Sequence, residues 1–399
     1  MTILERAQQA LRADQCDGWL LYNIYHRDHL ADFLLGVPPA AMNTRPWACW
    51  IPAAGPLVAL VHAIEADVLA DAPVDATRYT SQEQLHVKLR AWLRGQSRYA
   101  LNFSAIPALS VLDYATVETF RSLVPSALPI SAEGILQRTL GVLDPAGVRA
   151  HETAAHHLYA VVQLVWQRLR QSLLGAHRVT EGDLQDWILD QFATRGLVTE
   201  HDPIVAVAGH SADPHYQPVG GGAAIVASQV VQLDLWAKQP GAAGIYADIS
   251  WVGYTGSSVP TPLARAFAAV AAARDAVAAA AGVSLAAGDP PSGEALDLQA
   301  RAVLESHGLL KYVRHRTGHA LDRLLHGIGV NLDAIEFPDS RNLLDGSCFS
   351  VEPGVYGVTG SADLVDADTF GVRTEINAYI DETRFIVSGG APQTQVLSF

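Results

Sequence analysis

Two carboxylates stand inside runs of apolar residues. Asp234 interrupts Val230-Val231-Gln232-Leu233-Asp234-Leu235-Trp236, and Asp248 lies in Tyr246-Ala247-Asp248-Ile249-Ser250-Trp251, after a turn through Pro240-Gly241. If the two runs pair as a hairpin, both carboxylates can occupy one face of adjacent strands. An ionised carboxylate buried there is costly unless a cation or charged partner meets it, and two that face each other repel. A shared metal ion accounts for both. His319 (in His315-Arg316-Thr317-Gly318-His319-Ala320), Glu352 (in Phe349-Ser350-Val351-Glu352-Pro353-Gly354) and Glu375 (in Gly371-Val372-Arg373-Thr374-Glu375) extend the set. Four carboxylates and one imidazole form a hard, mostly oxygen ligand set, suited to Mn²⁺, Co²⁺ or Zn²⁺ and large enough for two divalent ions. Taken singly, an Asp at a strand end is a turn or cap residue and a lone His a satisfied core residue. Only the five together point to a metal.

These residues need elements to hold them. From Ile204 to Ile249 the pattern is of strands, broken at Gly220-Gly221-Gly222. No helix start or Lys-Ser/Thr follows that run, so it reads as a flexible turn and not a phosphate loop. Helical patterns cover Val148–Leu174, a segment capped at Thr180-Glu181-Gly182-Asp183 and ended by Gly196, then Pro262–Ala281 and Gly293–His307; the chain beyond Gly308 returns to strands. Helices and strands without a regular βαβ repeat predict an α+β domain on an antiparallel sheet. Upstream, helix Thr2–Asp14, run Gly18–Ile24, a hairpin of Pro46–Pro52 with Leu57–His62, helix Ser81–Leu93, strand Arg98–Phe103 and helix Ala115–Leu123 describe a smaller α/β domain. The proline in Leu143-Asp144-Pro145 and the long helical pattern after it place the boundary between domains 1–143 and 144–399.

The whole composition fits a folded enzyme. The 399 residues carry a formal charge of −14 with no basic stripe, which argues against nucleic acid or an anionic membrane as the main partner. Charged residues make up 17% and hydrophobic residues 49%, the balance of a compact chain. The first residues read as an amphipathic helix without a signal-peptide core. Ala264–Ala287, the stretch most like a membrane span, is interrupted by Arg265, Arg274 and Asp275 and reads as a packing helix. Cys16, Cys49 and Cys348, odd in number and far apart, make no disulfide framework and suggest a reducing, cytoplasmic compartment. Cys49 and Cys348 read as buried filler, and Tyr246 as a pocket or cross-strand packing residue.

The order Asp, Asp, His, Glu, Glu in these motifs resembles the pita-bread metallopeptidases, which include Xaa-Pro dipeptidases (prolidases), aminopeptidase P and methionine aminopeptidases. The resemblance covers roughly residues 145–399, while 1–140 resembles the creatinase-type N-terminal domain of the proline-specific branch. It implies that Asp234, Asp248, His319, Glu352 and Glu375 hold two metal ions, Mn²⁺ first among the candidates, with Asp248 and Glu375 bridging. It also implies that His215 (in Asp213-Pro214-His215-Tyr216) stabilises the intermediate, that His326 acts from the other side of the scissile bond, and that His315 lines the substrate pocket. In such enzymes a metal-bridging hydroxide attacks the carbonyl, and Glu352 is the general base by analogy. The implied activity is hydrolysis of the Xaa-Pro bond of dipeptides by a cytoplasmic homodimer.

Several departures bear on specificity. Asp234 and Asp248 are fourteen residues apart where the family usually has eleven, with Lys238–Gly244 free to absorb the difference. The family's Gly-His-Gly-Ile-Gly reads Gly-His-Ala-Leu-Asp here, its His-Glu reads His326-Gly327, and extra residues after His319 fit in the loop Asn331–Arg341. Pro338 falls where eukaryotic-type prolidases place an arginine on the dipeptide carboxylate. Arg373, Arg341 and, from the N-terminal domain, Arg45 are the candidates to replace it, and Arg373 has an alternative role as ion-pair partner of the carboxylates beside it. The rivals are aminopeptidase P action on longer Xaa-Pro peptides, a non-catalytic binding protein of the same fold, and a metal-free creatinase-like hydrolase. The last two require the loss or change of ligand positions, and this chain retains all five.

Overall fold

The computed structural model describes residues 2–175, 178–359, 363–366 and 368–399. They divide into two compact units, Met1–Leu140 and Gly141–Phe399.

The first unit runs α1 (Ile3–Ala13), β1 (Gly18–Asn23), α2 (His29–Leu35), β2 (Trp47–Pro52), β3 (Val58–His62), β4 (Asp75–Tyr79), α3 (Gln82–Leu93), β5 (Arg98–Leu101), α4 (Tyr114–Leu123), β6 (Leu128–Ser131) and α5 (Glu133–Thr139). Its strands form one mixed sheet in the order β4-β3-β2-β1-β5-β6. The hairpin expected between residues 46 and 62 is the antiparallel pair β2–β3. Leu20, Leu60, Leu85, Leu89, Tyr99 and Phe120 close the core between sheet and helices. Four elements give no sequence signal: α2, β4, β6 and α5 are four to seven residues long, too short to show a period. Inside this unit the Asp28 carboxylate caps α2 through the Ala31 N–H (2.9 Å) and accepts from Asn102 Nδ2 (2.8 Å). The Asn102 carbonyl in turn accepts from Trp19 Nε1 at 2.8 Å.

The second unit runs α6 (Pro145–Leu174), α7 (Glu181–Thr194), β7 (Ile204–Val207), β8 (Val230–Ala237), β9 (Ala247–Tyr254), α8 (Thr261–Ala286), α9 (Gly293–Ser306), β10 (Cys348–Val351), β11 (Gly354–Thr359), β12 (Thr369–Arg373), β13 (Ile376–Asp381), β14 (Arg384–Val387) and β15 (Leu397–Ser398). Its sheets have the orders β15-β9-β8-β7, β10-β13-β14 and β11-β12. Pro145 in the first turn and the Asp144 carboxylate, which accepts from the Ala146 and Gly147 N–H groups, start α6. Just upstream, the Leu143 N–H already bonds to the Gly346 carbonyl at 2.8 Å, so residues 141–143 pack with this unit.

β8 and β9 carry the two aspartates, and their register decides where those point. They pair antiparallel, with Asp234 opposite Ser250 and Trp236 opposite Asp248. Leu233, Leu235, Ala247, Ile249 and Trp251 pack against Leu158, Val162 and Leu169 of α6 and Leu184, Ile188 and Phe192 of α7. Asp234 and Asp248 therefore share the opposite face as diagonal neighbours. A slip of one residue would drive both into the helix-covered core.

On the other side, α8 packs Leu263, Phe267, Val270, Val277 and Leu285 into a core shared with β11, β12 and β13. It is long and apolar enough to cross a membrane by length and composition alone. Yet Arg274 at its centre is buried and donates to the Thr374 hydroxyl (3.0 Å) and the Gln393 carbonyl (2.9 Å), bonds that fasten the helix to the residue beside Glu375. All three cysteines are free and buried, with Cys348 beside Tyr246 in a small apolar cluster. Tyr246 takes the packing role.

Candidate metal centre

Five side chains from five separate stretches converge. Asp234, Asp248 and Glu375 each present an oxygen within 4.8 Å of the others'. His319 Nε2 lies 3.6 Å from Asp248 Oδ2 and 3.2 Å from Glu352 Oε1. His319 Nδ1 is 3.2 Å from the Ala320 carbonyl; a proton there leaves the Nε2 lone pair facing the carboxylates, the tautomer a metal ligand needs. Backbone bonds fix the approach of each. The Asp248 N–H donates to Asn377 Oδ1 (2.8 Å), Glu352 N–H to the Thr317 carbonyl (2.7 Å) and Glu375 N–H to the Ser250 carbonyl (3.2 Å).

The cluster has too few protons for its acceptors. Among the described residues, Asp248 Oδ1 and both Glu375 oxygens are buried without a hydrogen-bond donor. Burial, then repulsion from Asp234, raises Asp248 to about 8. Burial, then Asp248, Glu352 and Asp234, holds Glu375 well above the usual carboxylate range. Burial raises Glu352 too, but His319, His315, Arg373 and Arg316 outweigh it and its pKa falls below normal. Buried oxygens that converge, repel and lack donors are the environment that a divalent cation satisfies, so the residues present fit one.

Arg373 is part of this centre. Its Nη2 donates to Asp234 Oδ2 (2.6 Å), Nε to Ser250 Oγ (2.8 Å) and Nη1 to the Tyr356 hydroxyl (2.8 Å), with the Pro214 carbonyl at 3.4 Å. Ser250 Oγ donates to Asp234 Oδ1 at 2.7 Å. The Tyr356 hydroxyl also lies 2.8 Å from His315 Nε2, so a chain of bonds runs from Asp234 through Arg373 and Tyr356 to His315.

A cavity of about 510 Å³ opens over the cluster, within the size range of small-ligand sites. Asp234, Asp248, His319, Glu352, His215, His315, His326 and Arg373 all line it. His319 and His326 stack edge to face, 4.4 Å between ring centres. In the metal-free cluster the His319 pKa is raised, and its charge, then burial and Arg316, push the His326 pKa down to about 3. Arg45 belongs to the first unit, where its Nη1 donates to Thr44 Oγ1 (2.7 Å) and lies 3.7 Å from Glu65. Arg341 is bonded to Asp339 and to the Ile328 and Gly329 carbonyls.

Sequence reasoning missed other polar lining residues, His201, Gln217, Arg316 and Glu336, and a buried carboxylate that holds Tyr216, the chain neighbour of His215. Glu181, in the first turn of α7, is fully buried. Its carboxylate accepts from the N–H groups of Val207 (2.8 Å) and Ala223 (2.7 Å), the Tyr216 hydroxyl (2.7 Å) and His210 Nδ1 (2.9 Å). Gly220, Gly221 and Gly222 all have positive φ, and a Cβ on Gly222 would meet Glu181 Oε2 at 2.5 Å. The expected flexible turn is a seat for this carboxylate. Its only sequence signal was a glutamate next to an N-cap threonine, which has a sufficient local explanation of its own.

Residues 149–382, more than half of the chain, match metallopeptidase family M24. The probable dipeptidase PepE of Mycobacterium tuberculosis is 25% identical over 297 residues, 72% of this chain and 73% of its own. Among solved structures, dipeptidase PepE from Mycobacterium ulcerans superposes with a TM-score of 0.72 at 22% identity, covering 99% of this chain and 96% of that one. The Xaa-Pro dipeptidase from Bacillus anthracis gives 0.67 at 17% identity, with 100% and 99% covered. The fold is the pita-bread fold with an N-terminal α/β domain, as the resemblance implied. With its acidic cluster, its cavity and the match across the second unit, the chain belongs to metallopeptidase family M24 and is a peptidase-type hydrolase.

Proposed function

We propose that the protein is a cytoplasmic exopeptidase that hydrolyses the Xaa-Pro bond of dipeptides, with residues 144–399 as its catalytic domain. The observation that carries this reading is the convergence of donorless carboxylate oxygens at the floor of a histidine-lined cavity. In this reading Asp234, Asp248, His319, Glu352 and Glu375 would hold two divalent ions, Mn²⁺ before Co²⁺ or Zn²⁺, with their carboxylates and imidazole as ligands. The ions supply Lewis acidity toward a water and the scissile carbonyl. Glu352 takes the proton of the attacking water at its carboxylate. His215 and His326, on the cavity wall, donate to the developing oxyanion and the leaving imino nitrogen. Arg373 holds Asp234 in place directly and through Ser250, while Tyr356 links its guanidinium to His315, which lines the pocket. The names of the dipeptidase relatives favour the dipeptide as substrate.

The test is proline release from Ala-Pro, beside cleavage of Ala-Pro-Ala, by metal-stripped protein reloaded with Mn²⁺, Co²⁺ or Zn²⁺. Metal-dependent cleavage of the dipeptide alone is the expected result. Preference for the tripeptide would make the protein an aminopeptidase P. Cleavage of neither by metal-loaded protein would refute the substrate assignment. The reading includes a homodimer, which light scattering at micromolar concentration checks.

A further inference from the structure

Given the dipeptidase reading above, on which this inference rests, the site must distinguish a free carboxylate one residue beyond the scissile bond. Nothing binds that group as well as an arginine with unspent, coplanar N–H donors. Of the arginines suggested by the sequence, the two in the second unit have none to spare, and Arg45 lies in the first unit beside Thr44 and Glu65. Arg373 is 4% exposed and every nitrogen of its guanidinium is already bonded within the protein. Arg341 is spent on Asp339 and two carbonyls.

Arg316 is different. It lines the same cavity as His319 and Glu352, and four-fifths of its side chain is covered (19% exposed). Among the described residues its guanidinium makes no hydrogen bond, and its one ionic contact is Asp333 Oδ2 at 3.9 Å from Nη1. That aspartate is already engaged by the N–H groups of Ile335 (2.9 Å), Glu336 (2.9 Å) and Phe337 (3.0 Å), so it offsets the arginine's charge only in part. The backbone that carries Arg316 is pinned on both sides. Its N–H donates to Glu336 Oε1 (2.7 Å), its carbonyl lies 2.6 Å from His315 Nδ1, and Thr317 N–H donates to Asp297 (3.1 Å). Glu336 is exposed and turned to that N–H, so water screens it. A largely buried guanidinium with open donors, on a fixed backbone and facing a cavity, lacks an anionic ligand.

We propose that Arg316 binds the C-terminal carboxylate of the dipeptide and so sets the preference of the site for dipeptides over longer chains.

The experiment uses Mn²⁺-loaded protein and a non-hydrolysable probe, Ala-Pro with its peptide carbonyl reduced to methylene, as the free acid and as the C-terminal amide. Calorimetry gives both affinities for the wild type, Arg316→Met and Arg316→Lys. The wild type is expected to prefer the acid. Arg316→Met should lose roughly 10- to 100-fold for the acid and little for the amide, and Arg316→Lys should fall between. In turnover, Arg316→Met should raise KM for Ala-Pro far more than it lowers kcat. A role limited to charge balance beside Asp333 would weaken acid and amide alike, and that result overturns the proposal. So does equal or absent binding of acid and amide by the wild type. If the wild type prefers the acid, loses that preference in Arg316→Met, and still cleaves no Xaa-Pro dipeptide, the carboxylate site stands and the dipeptidase reading fails. An unchanged Mn²⁺-dependent rise in melting temperature confirms that Arg316→Met keeps the fold and the metal.

Discussion

Asp28 in the first unit and Asp248 in the second are both buried carboxylates, and burial raises both, to about 7 and about 8. Their surroundings differ. Both Asp28 oxygens are met, one by the Ala31 N–H and the other by Asn102, whose own carbonyl is satisfied by Trp19. Asp248 keeps one oxygen with no donor, and Glu375 keeps two. A raised pKa alone therefore does not separate a structural carboxylate from a ligand. Hydrogen-bond saturation does, because unmet buried acceptors are costly and persist where something outside the chain meets them.

The sharpest way to break this contrast is to neutralise one member of each pair. Asp248→Asn should abolish turnover and the metal-dependent rise in melting temperature, while the metal-free protein melts no lower than wild type. Asp28→Ala should do the opposite: a loss of about 2 to 4 kcal/mol in denaturant unfolding, from the missing helix cap and the stranded Asn102 amide, with activity per folded molecule retained. Equal stability loss in both would refute the distinction. Next in size, Glu352→Gln should lower kcat on the order of 10²- to 10⁴-fold and keep much of the metal-induced stabilisation; near-wild-type turnover would remove Glu352 from the role of base.

Changes in pH sharpen the comparison without a mutation. Each of these aspartates holds its proton in the folded protein well above the pH at which the unfolded chain releases it. Its contribution is therefore fully present below about pH 4 and lost as pH rises, toward 7 for Asp28 and 8 for Asp248. The slope is at most about 1.4 kcal/mol per pH unit for each group. Metal that ionises the cluster should remove the Asp248 part and leave the Asp28 part, and its binding should release protons. Unfolding at several pH values with and without Mn²⁺, and calorimetry in two buffers of different protonation enthalpy, would show this. Metal binding without proton release would contradict it.

The smallest effect concerns Glu181, which holds Tyr216 next to His215. Glu181→Gln keeps the shape but gives up charge-assisted acceptance from His210 and Tyr216. A roughly tenfold fall in kcat with unaltered Mn²⁺ affinity is expected. A fall in metal affinity instead would place Glu181 in support of the wrong half of the site.

The sequence made the five convergent residues legible because four of them are charges in strand-like apolar runs, where local chemistry already demands an explanation. The hairpin that aligns Asp234 with Asp248 was legible for the same reason: alternation fixes which face each side chain takes. Glu181 and Arg316 were not, because each looked ordinary locally. One lay inside a capping segment and the other between two histidines of a motif. Their roles come from Tyr216, Ala223 and Asp333, partners 17 to 42 residues away in the chain. Short elements such as β4 and α5 escaped because they hold their shape by tertiary packing rather than by any pattern of their own.

The three buried thiols have a practical consequence. Burial raises Cys49 to about 12 and lifts Cys16 and Cys348 above the normal thiol range, so none offers a reactive thiolate while the chain is closed. Two of them lie in the first unit and Cys348 in the second. Each is thus a clock for the opening of its own unit. The rate at which an alkylating reagent reaches Cys348 should slow when metal is added, and the rates at Cys16 and Cys49 should report the breathing of the other unit independently.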